Sequence, residues 1–152
     1  MTYTSEIHIN LSLKAFICKF NNVENLKHWQ EGLTHYDHIY GTPGETGSKI
    51  RLHYVLNKKP FFLIQTISES KLPHKLHFTY ESNGLYNIQE NYFKAISDSE
   101  TVWTTRNEYI PTNFKMRMML LVMPKTLINQ TKTYLKNFKS FAENETAAIR
   151  KK

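Results

Sequence analysis

The feature that most constrains this chain is a long stretch of two-residue periodicity, followed by a single helical pattern. Between residues 33 and 110 apolar and polar residues largely alternate, as is typical of strands that bury one face. Short separators rich in Gly, Pro, Asn and Ser divide the stretch, and short connections make consecutive strands antiparallel neighbours. The pattern predicts strands at Leu33–Tyr40, Lys49–Asn57, Phe61–Ser70, Lys75–Ser82, Tyr86–Ile96 and Thr101–Ile110.

Helical patterns flank these strands on both sides. Before them come a first strand at Ile7–Leu11 and two short helices at Leu13–Phe20 and Val23–Gln30. After them an apolar stripe at 3.6-residue spacing indicates a long helix, and Pro124 either starts that helix or kinks a longer one. We therefore expect one α+β domain spanning residues 1–152, with a curved seven-stranded antiparallel sheet, two short helices after strand 1 and a long C-terminal helix.

The charge of the chain is concentrated in its last segment. The formal net charge is +7, and residues 114–152 account for all of it, because residues 1–113 contain equal numbers of basic and acidic residues. The second stripe of the long helix is basic, with Lys125, Lys132, Lys136, Lys139 and Arg150. A solvated helix face explains this stripe, and peripheral contact with an anionic membrane or partner is the alternative. We expect no nucleic-acid partner, because the neutral strands offer no stacking platform flanked by basic residues.

The remaining composition indicates a cytoplasmic protein. The longest apolar run, Met118–Met123, is far shorter than the roughly 20 residues that span a bilayer, and the N-terminus has no secretory-signal pattern. Cys18 is the single cysteine, so no internal disulfide forms. Its apolar neighbours predict a buried, inert thiol.

Several local stretches resemble those of one superfamily. Residues 24–33, Glu-Asn-Leu-Lys-His-Trp-Gln-Glu-Gly-Leu, resemble the ENLxxWxxGL stretch of bacterial polyketide-cyclase and START-related (SRPBCC) proteins. The glycine-rich loop at residues 41–48, the turn Leu72-Pro73-His74 and the closing helix around residues 134–139 are also similar to theirs. The resemblance implies the helix-grip (START-like) fold, in which a curved sheet wraps a long helix around an apolar cavity. The superfamily includes lipid carriers, hormone receptors, cyclases and chaperone activators, so it leaves the function open.

A sheet that curves around a helix leaves a gap unless bulky side chains fill it. The 9 Phe, 9 Tyr and 2 Trp residues would fill much of it, so we expect a small cavity. The apolar phases of the strands and helices predict its lining: Trp29, Leu52, Tyr54, Leu63, Phe78, Tyr80, Asn91, Phe93, Trp103, Met118, Leu121 and Val122.

The leading functional hypothesis is non-catalytic binding or transport of a small hydrophobic molecule, such as a lipid, an isoprenoid or an aromatic polyketide. A cyclase, dehydratase or hydrolase is the alternative, and a protein-interaction module is the third. The enzymatic hypothesis needs titratable groups inside the cavity. If Phe93 and Trp103 point inward, then Gln89, Asn91, Thr105 and Asn107 point inward as well, and Glu90 and Glu108 face water.

We expect no catalytic residue, cofactor or metal site from the sequence. Histidines are spaced three apart at His35 and His38 and at His74 and His77, which places each pair on opposite faces of a strand. The loop with Gly41, Gly44 and Gly47 lacks the Gly-Lys-Ser/Thr ending of a phosphate-binding loop and precedes a strand instead of a helix.

Overall fold

The computed structural model describes residues 1–150 of the chain, with side chains described through residue 144. The elements follow the predicted order of strand, two short helices, six strands and long helix. They are β1 (Thr2–Ile9), α1 (Leu13–Phe20), a 3-10 helix (Val23–His28), β2 (Leu33–Tyr40), β3 (Lys49–Leu56), β4 (Lys59–Lys71), β5 (Lys75–Ser82), β6 (Leu85–Ser97), β7 (Glu100–Pro111), α2 (Phe114–Val122) and α3 (Lys125–Arg150).

The strands form one antiparallel sheet in the order β1-β7-β6-β5-β4-β3-β2. From β2 to β7 sequential strands are neighbours, and β1 pairs with β7 at the edge opposite β2. Register shifts interrupt the β2–β3, β4–β5 and β6–β7 ladders. Such irregularities bend strands and increase twist. The predicted sheet is confirmed.

Several strand ends lie one or two residues from their predicted positions, and the N-terminal elements differ most. β1 covers Thr2–Ile9 instead of Ile7–Leu11, because it pairs with β7 along this whole length and the chain turns before Ser12, which caps α1 by accepting a hydrogen bond from the Ala15 N–H. The second short helix is a 3-10 helix that ends at His28.

Pro124 separates two helices instead of kinking one. α2 begins after Asn113, whose side chain accepts a hydrogen bond from the Met116 N–H at 2.8 Å, and ends at Val122. α3 then starts at Lys125, immediately after the proline, where the missing N–H costs no helical hydrogen bond. The Arg150 side chain of the predicted basic stripe lies outside the described residues.

The C-terminal half of α3 packs against the concave face of the sheet and α1. Aromatic rings meet there with neighbouring centroids 5.0 to 6.2 Å apart. We call this packed group the closed-end cluster; it consists of Phe16, Phe20, Trp29, Phe93, Trp103 and Phe138. It fills one end of the space between the sheet and α3.

Cys18 is exposed, so the expectation of a buried thiol was wrong. Phe16 and Phe20 occupy the buried face of α1. At about 100° per residue, Cys18 points about 200° away from Phe16. In the described part of the chain, no helix is both long enough and apolar enough to span a membrane.

Candidate functional site

A cavity of about 940 Å³ lies between the sheet and the N-terminal half of α3. Strands β2 to β7 supply one wall, and α2, α3 and the 3-10 helix supply the other side. Pro43 and Gly44 of the glycine-rich loop reach its lining. This volume lies at the upper end of the range typical of small-molecule sites.

The expectation of a small cavity was wrong because the aromatic residues are not evenly distributed. Phe16 packs against both Phe93 and Phe138 in the closed-end cluster. Over the cavity, α3 presents Leu127 and Thr131, which are only partly buried and do not fill the space down to the sheet. The gap therefore remains open at this end of the helix.

A ladder of side-chain amides lines one wall of the cavity. Asn87 and Gln89 of β6 both donate to the Asn107 Oδ1 atom, at 3.3 and 3.1 Å. The Asn107 amide in turn donates to the Thr105 hydroxyl at 3.4 Å. Asn87, Gln89 and Thr105 are among the lining residues. The wall thus offers neutral donors and acceptors to anything inside the cavity.

Asn91 ends this ladder at the closed-end cluster. It is fully buried, and its side-chain amide donates to the Leu76 carbonyl and to the Gln89 Oε1 atom, each at 3.0 Å. Its Oδ1 atom accepts from the Trp103 indole N–H at 3.0 Å. Asn91 is therefore a structural junction that joins the amide ladder to the aromatic cluster.

Tyrosines supply the other polar groups of the cavity. The Tyr54 hydroxyl donates to the Gln30 Oε1 atom at 2.6 Å, and the Tyr109 and Thr131 hydroxyls lie 3.2 Å apart. Burial raises the pKa of Tyr54 and Tyr80 well above the usual value, and raises the pKa of Tyr134 to about 12. Desolvation disfavours the phenolate, so these hydroxyls stay neutral near physiological pH.

The described lining contains no Asp, Glu, Lys or Arg side chain. Apart from the tyrosines, its titratable side chain is His38. Glu90 lies on the outer face of the sheet, where its carboxylate accepts from Arg106 at 3.0 Å. The buried positions of β7 alternate and include Asn107 and Tyr109, so Glu108 between them faces outward. The predicted phase of these strands is confirmed.

The structure places half of the predicted lining residues at the cavity: Trp29, Tyr54, Leu63, Phe78, Tyr80 and Trp103. Leu52, Asn91 and Phe93 share the inward phase but do not line it. Leu52 is fully covered by its neighbours, Asn91 is enclosed by its hydrogen bonds, and Phe93 packs into the closed-end cluster.

Met118, Leu121 and Val122 also lie outside the lining, and the phase of α2 explains why. Met116 is the α2 residue that reaches the cavity. The other three lie about 140–240° around the helix from it, on the side that faces away. They are exposed, and Leu121 and Val122 retain 72% and 71% of their accessible surface.

The sequence prediction missed most polar and helical lining residues. These are Gln30, Gln65, Asn87, Tyr109, Leu127, Gln130, Thr131 and Tyr134, among others. One signal was present in β6, where Asn87, Gln89 and Asn91 alternate in phase with Phe93. Polar residues repeated on an inward strand face indicate a polar cavity wall.

A second group of side chains with ligand atoms lies outside the cavity. His35, Asp37 and His53 meet on the outer face of the β2–β3 edge, each with one donor atom within 4.8 Å of the others. His38 instead lines the cavity, so His35 and His38 do lie on opposite faces of β2, as their spacing predicts. The His35–His53 pair is formed across two strands, which sequence spacing alone does not reveal.

Comparison with known proteins supports the fold. No family model matches the chain, and no curated protein matches it. Among solved structures, the Zhui aromatase/cyclase from Streptomyces sp. R1128 is similar with a TM-score of 0.79 and 8% identity, covering 96% of this chain and 95% of that one. Protein CV1439 from Chromobacterium violaceum has a TM-score of 0.71 and 11% identity, with 93% and 96% covered.

A plant enzyme has the same architecture. Norcoclaurine synthase from Thalictrum flavum, solved in complex with dopamine and hydroxybenzaldehyde, has a TM-score of 0.69 and 12% identity, covering 95% of this chain and 87% of that one. At such low identities the likeness concerns the fold alone. Together with the sheet order and the position of α3, it shows that the chain has the helix-grip, START-like fold of the SRPBCC proteins.

Proposed function

We propose that this chain, as a single domain of residues 1–152, binds and carries a neutral hydrophobic molecule without changing it chemically. The observation that carries the proposal is a cavity of about 940 Å³ whose described lining has no Asp, Glu, Lys or Arg side chain. Apolar burial supplies the affinity, at about 25 cal/mol for each Å² removed from water. A lipid, an isoprenoid or an aromatic polyketide has the required chemistry.

The amide ladder selects among such molecules. A hydroxyl, ketone or ester group can exchange hydrogen bonds with Asn87 or Gln89, which are already held in place by Asn107. A carboxylate or phosphate would lose its hydration without meeting a lysine or arginine in the described lining. The ligand is therefore neutral, with one or a few polar groups on an otherwise apolar body.

An enzyme of the cyclase, dehydratase or hydrolase type is the second candidate. His38 at the lining is the observation that favours it, because an imidazole can act as a base near neutral pH. The binding role is preferred because the carboxylates Glu90 and Glu108 are on the outer face of the sheet. The burial that keeps the cavity tyrosines protonated also makes them weaker acids and leaves almost no phenolate to act as a base.

A displacement experiment tests the proposed ligand class. The neutral dye N-phenyl-1-naphthylamine is first bound to the full chain, and is then displaced by a fatty alcohol or by the fatty acid of equal chain length at neutral pH. We expect the alcohol to displace the dye at a concentration at least about tenfold lower, because only the acid must bury a charge. Equal potency, or stronger displacement by the acid, would contradict a neutral ligand. Methyl esters of the same acids serve as the matched control for chain length.

We further propose that the basic helical region brings the cavity to an anionic membrane. Residues 112–142 contain six basic side chains and no acidic one. Phe114, Leu121 and Val122 of α2 are 74%, 72% and 71% exposed beside them, a combination that suits insertion at a charged interface. We place the protein at the cytoplasmic face, where the exposed Cys18 thiol stays reduced.

A further inference from the structure

His35, Asp37 and His53 share the outer face of the β2–β3 edge, on the opposite side of the sheet from the cavity. His35 is paired directly with His53 in the strand register, and Asp37 is paired with Arg51 next to them. The two imidazole rings are parallel, with centroids 4.1 Å apart. One ligand atom of each residue lies within 4.8 Å of the other two. Two rigid neighbouring strands thus hold three donor side chains together.

The hydrogen bonds of the Thr34 hydroxyl determine which ring nitrogen of His35 has a lone pair available to a metal ion. The Thr34 hydroxyl donates its proton to the His53 carbonyl at 3.2 Å. Its oxygen, 3.0 Å from the His35 Nδ1 atom, is then the acceptor, and Nδ1 carries the proton. The lone pair of neutral His35 is consequently on Nε2. A hydrogen bond on the other ring nitrogen is the usual arrangement around a metal-binding histidine.

The other two donors are already in contact. The His53 Nε2 and Asp37 Oδ2 atoms are 2.8 Å apart, with one proton between them. When a metal ion replaces this proton, the single proton of the neutral ring moves to Nδ1, and an imidazole nitrogen and a carboxylate oxygen bind the ion together. The three side chains are at least partly accessible, so water can complete the coordination shell.

From this geometry we infer that His35, Asp37 and His53 form a binding site for a divalent transition-metal ion of the zinc class. Two imidazoles and one carboxylate are ligands that Zn²⁺ takes in proteins. Magnesium and calcium prefer sites built from oxygen alone, so the two histidines select against them. The Arg51 guanidinium lies on the same face, and its positive charge disfavours cation binding. Its central carbon packs over the Phe62 ring, 5.2 Å from the ring centroid.

The coordination positions that the protein leaves open adjoin a second cleft. Both histidines line this cleft, which has a volume of about 370 Å³ and includes Pro60, Phe61 and Phe62. A bound ion would therefore have water on one side and a small apolar surface beside it. The proposed metal site is separate from the cavity, so a negative result for the carrier function would leave it unaffected.

Zinc binding to the untagged full chain, measured by isothermal titration calorimetry, tests the inference. We expect one saturable site, with affinity reduced at least about tenfold in His35→Ala and in His53→Ala. Thr34→Val keeps the side-chain shape but removes the hydroxyl that orients His35, and should weaken binding by about 10- to 100-fold. Each variant's fold is checked by its circular dichroism and unfolding curve.

His8→Ala is the matched control. His8 and Glu100 form a comparable histidine–carboxylate contact of 2.7 Å on the opposite edge of the sheet, without a second histidine. Zinc affinity should be unchanged in this variant. The inference is overturned if the chain shows no saturable zinc site, or if His35→Ala and His53→Ala bind zinc as tightly as the natural chain and His8→Ala.

Discussion

The two halves of α3 face the same sheet, yet one half is packed and the other covers the cavity. In the C-terminal half, Phe138 and Ala142 are fully buried. In the N-terminal half, Leu127 and Thr131 are only partly buried and line the cavity. A single helix therefore both closes the core and forms the wall of a binding site.

The difference follows from which side chains meet each half of the helix. Phe138 is matched by Phe16 and Trp103, which fill the space at close-packed distances. The sheet opposite the N-terminal half carries amides and tyrosines instead, which hydrogen-bond each other and leave the volume free. The aromatic side chains therefore close one end of the space between α3 and the sheet, and the other end forms the cavity.

Truncating one side chain in each half of α3 should give the largest difference in the free energy of unfolding. Phe138→Ala should lower the free energy of unfolding by about 3–5 kcal/mol, because it opens a void in a fully buried cluster. Leu127→Ala should cost less than about 1 kcal/mol, because its side chain already borders an existing cavity. Urea unfolding curves measure both. Similar losses for the two variants would show that the two halves of α3 do not differ in packing.

The boundary between the two ends depends on Asn91. Asn91→Leu should destabilise the chain by about 2–4 kcal/mol, because the Trp103 indole N–H and the Leu76 carbonyl lose their partner in a buried site. Glu90→Gln, at the next residue but on the outer face, is the control and should cost less than about 1 kcal/mol. If urea unfolding shows a larger loss of unfolding free energy in Glu90→Gln than in Asn91→Leu, Asn91 is not a structural junction.

The stability of the chain should also depend on alkaline pH, through Tyr134 at the cavity. Burial raises the Tyr134 pKa from 10.0 to about 12, so between these values the unfolded chain loses its proton before the folded chain does. This contribution to stability is fully present below pH 10.0 and is lost as the pH rises toward about 12. In Tyr134→Phe the loss over this range should be smaller than in the natural chain. Parallel curves of the unfolding midpoint against pH would contradict this assignment.

The sequence predicted the fold well because its signals are local and strong. Two-residue alternation identified every strand from β2 to β7, and Pro124 marked the break between α2 and α3. The inward phase of Asn91 and Phe93 was also correct, since a strand's two faces follow from its alternation.

The site was predicted less well, because packing between distant elements decides it. Phase alone cannot separate Phe93, which fills the closed end, from Phe78, which lines the cavity. Likewise the rotation of α2, which turns Leu121 away from the cavity, is set by how the helix docks. The His35–His53 contact depends on the register of two strands, which a single sequence does not specify.

The most direct test of the central claim is the equilibrium binding of N-phenyl-1-naphthylamine to two tryptophan variants, measured by dye fluorescence. Leu63→Trp places a larger side chain into the cavity wall, whereas Ile110→Trp adds the same side chain on the outer face of β7. Both variants should unfold like the natural chain to within about 2 kcal/mol. We predict at least about tenfold weaker binding in Leu63→Trp and unchanged binding in Ile110→Trp. Equal affinity in both folded variants would contradict binding inside the cavity.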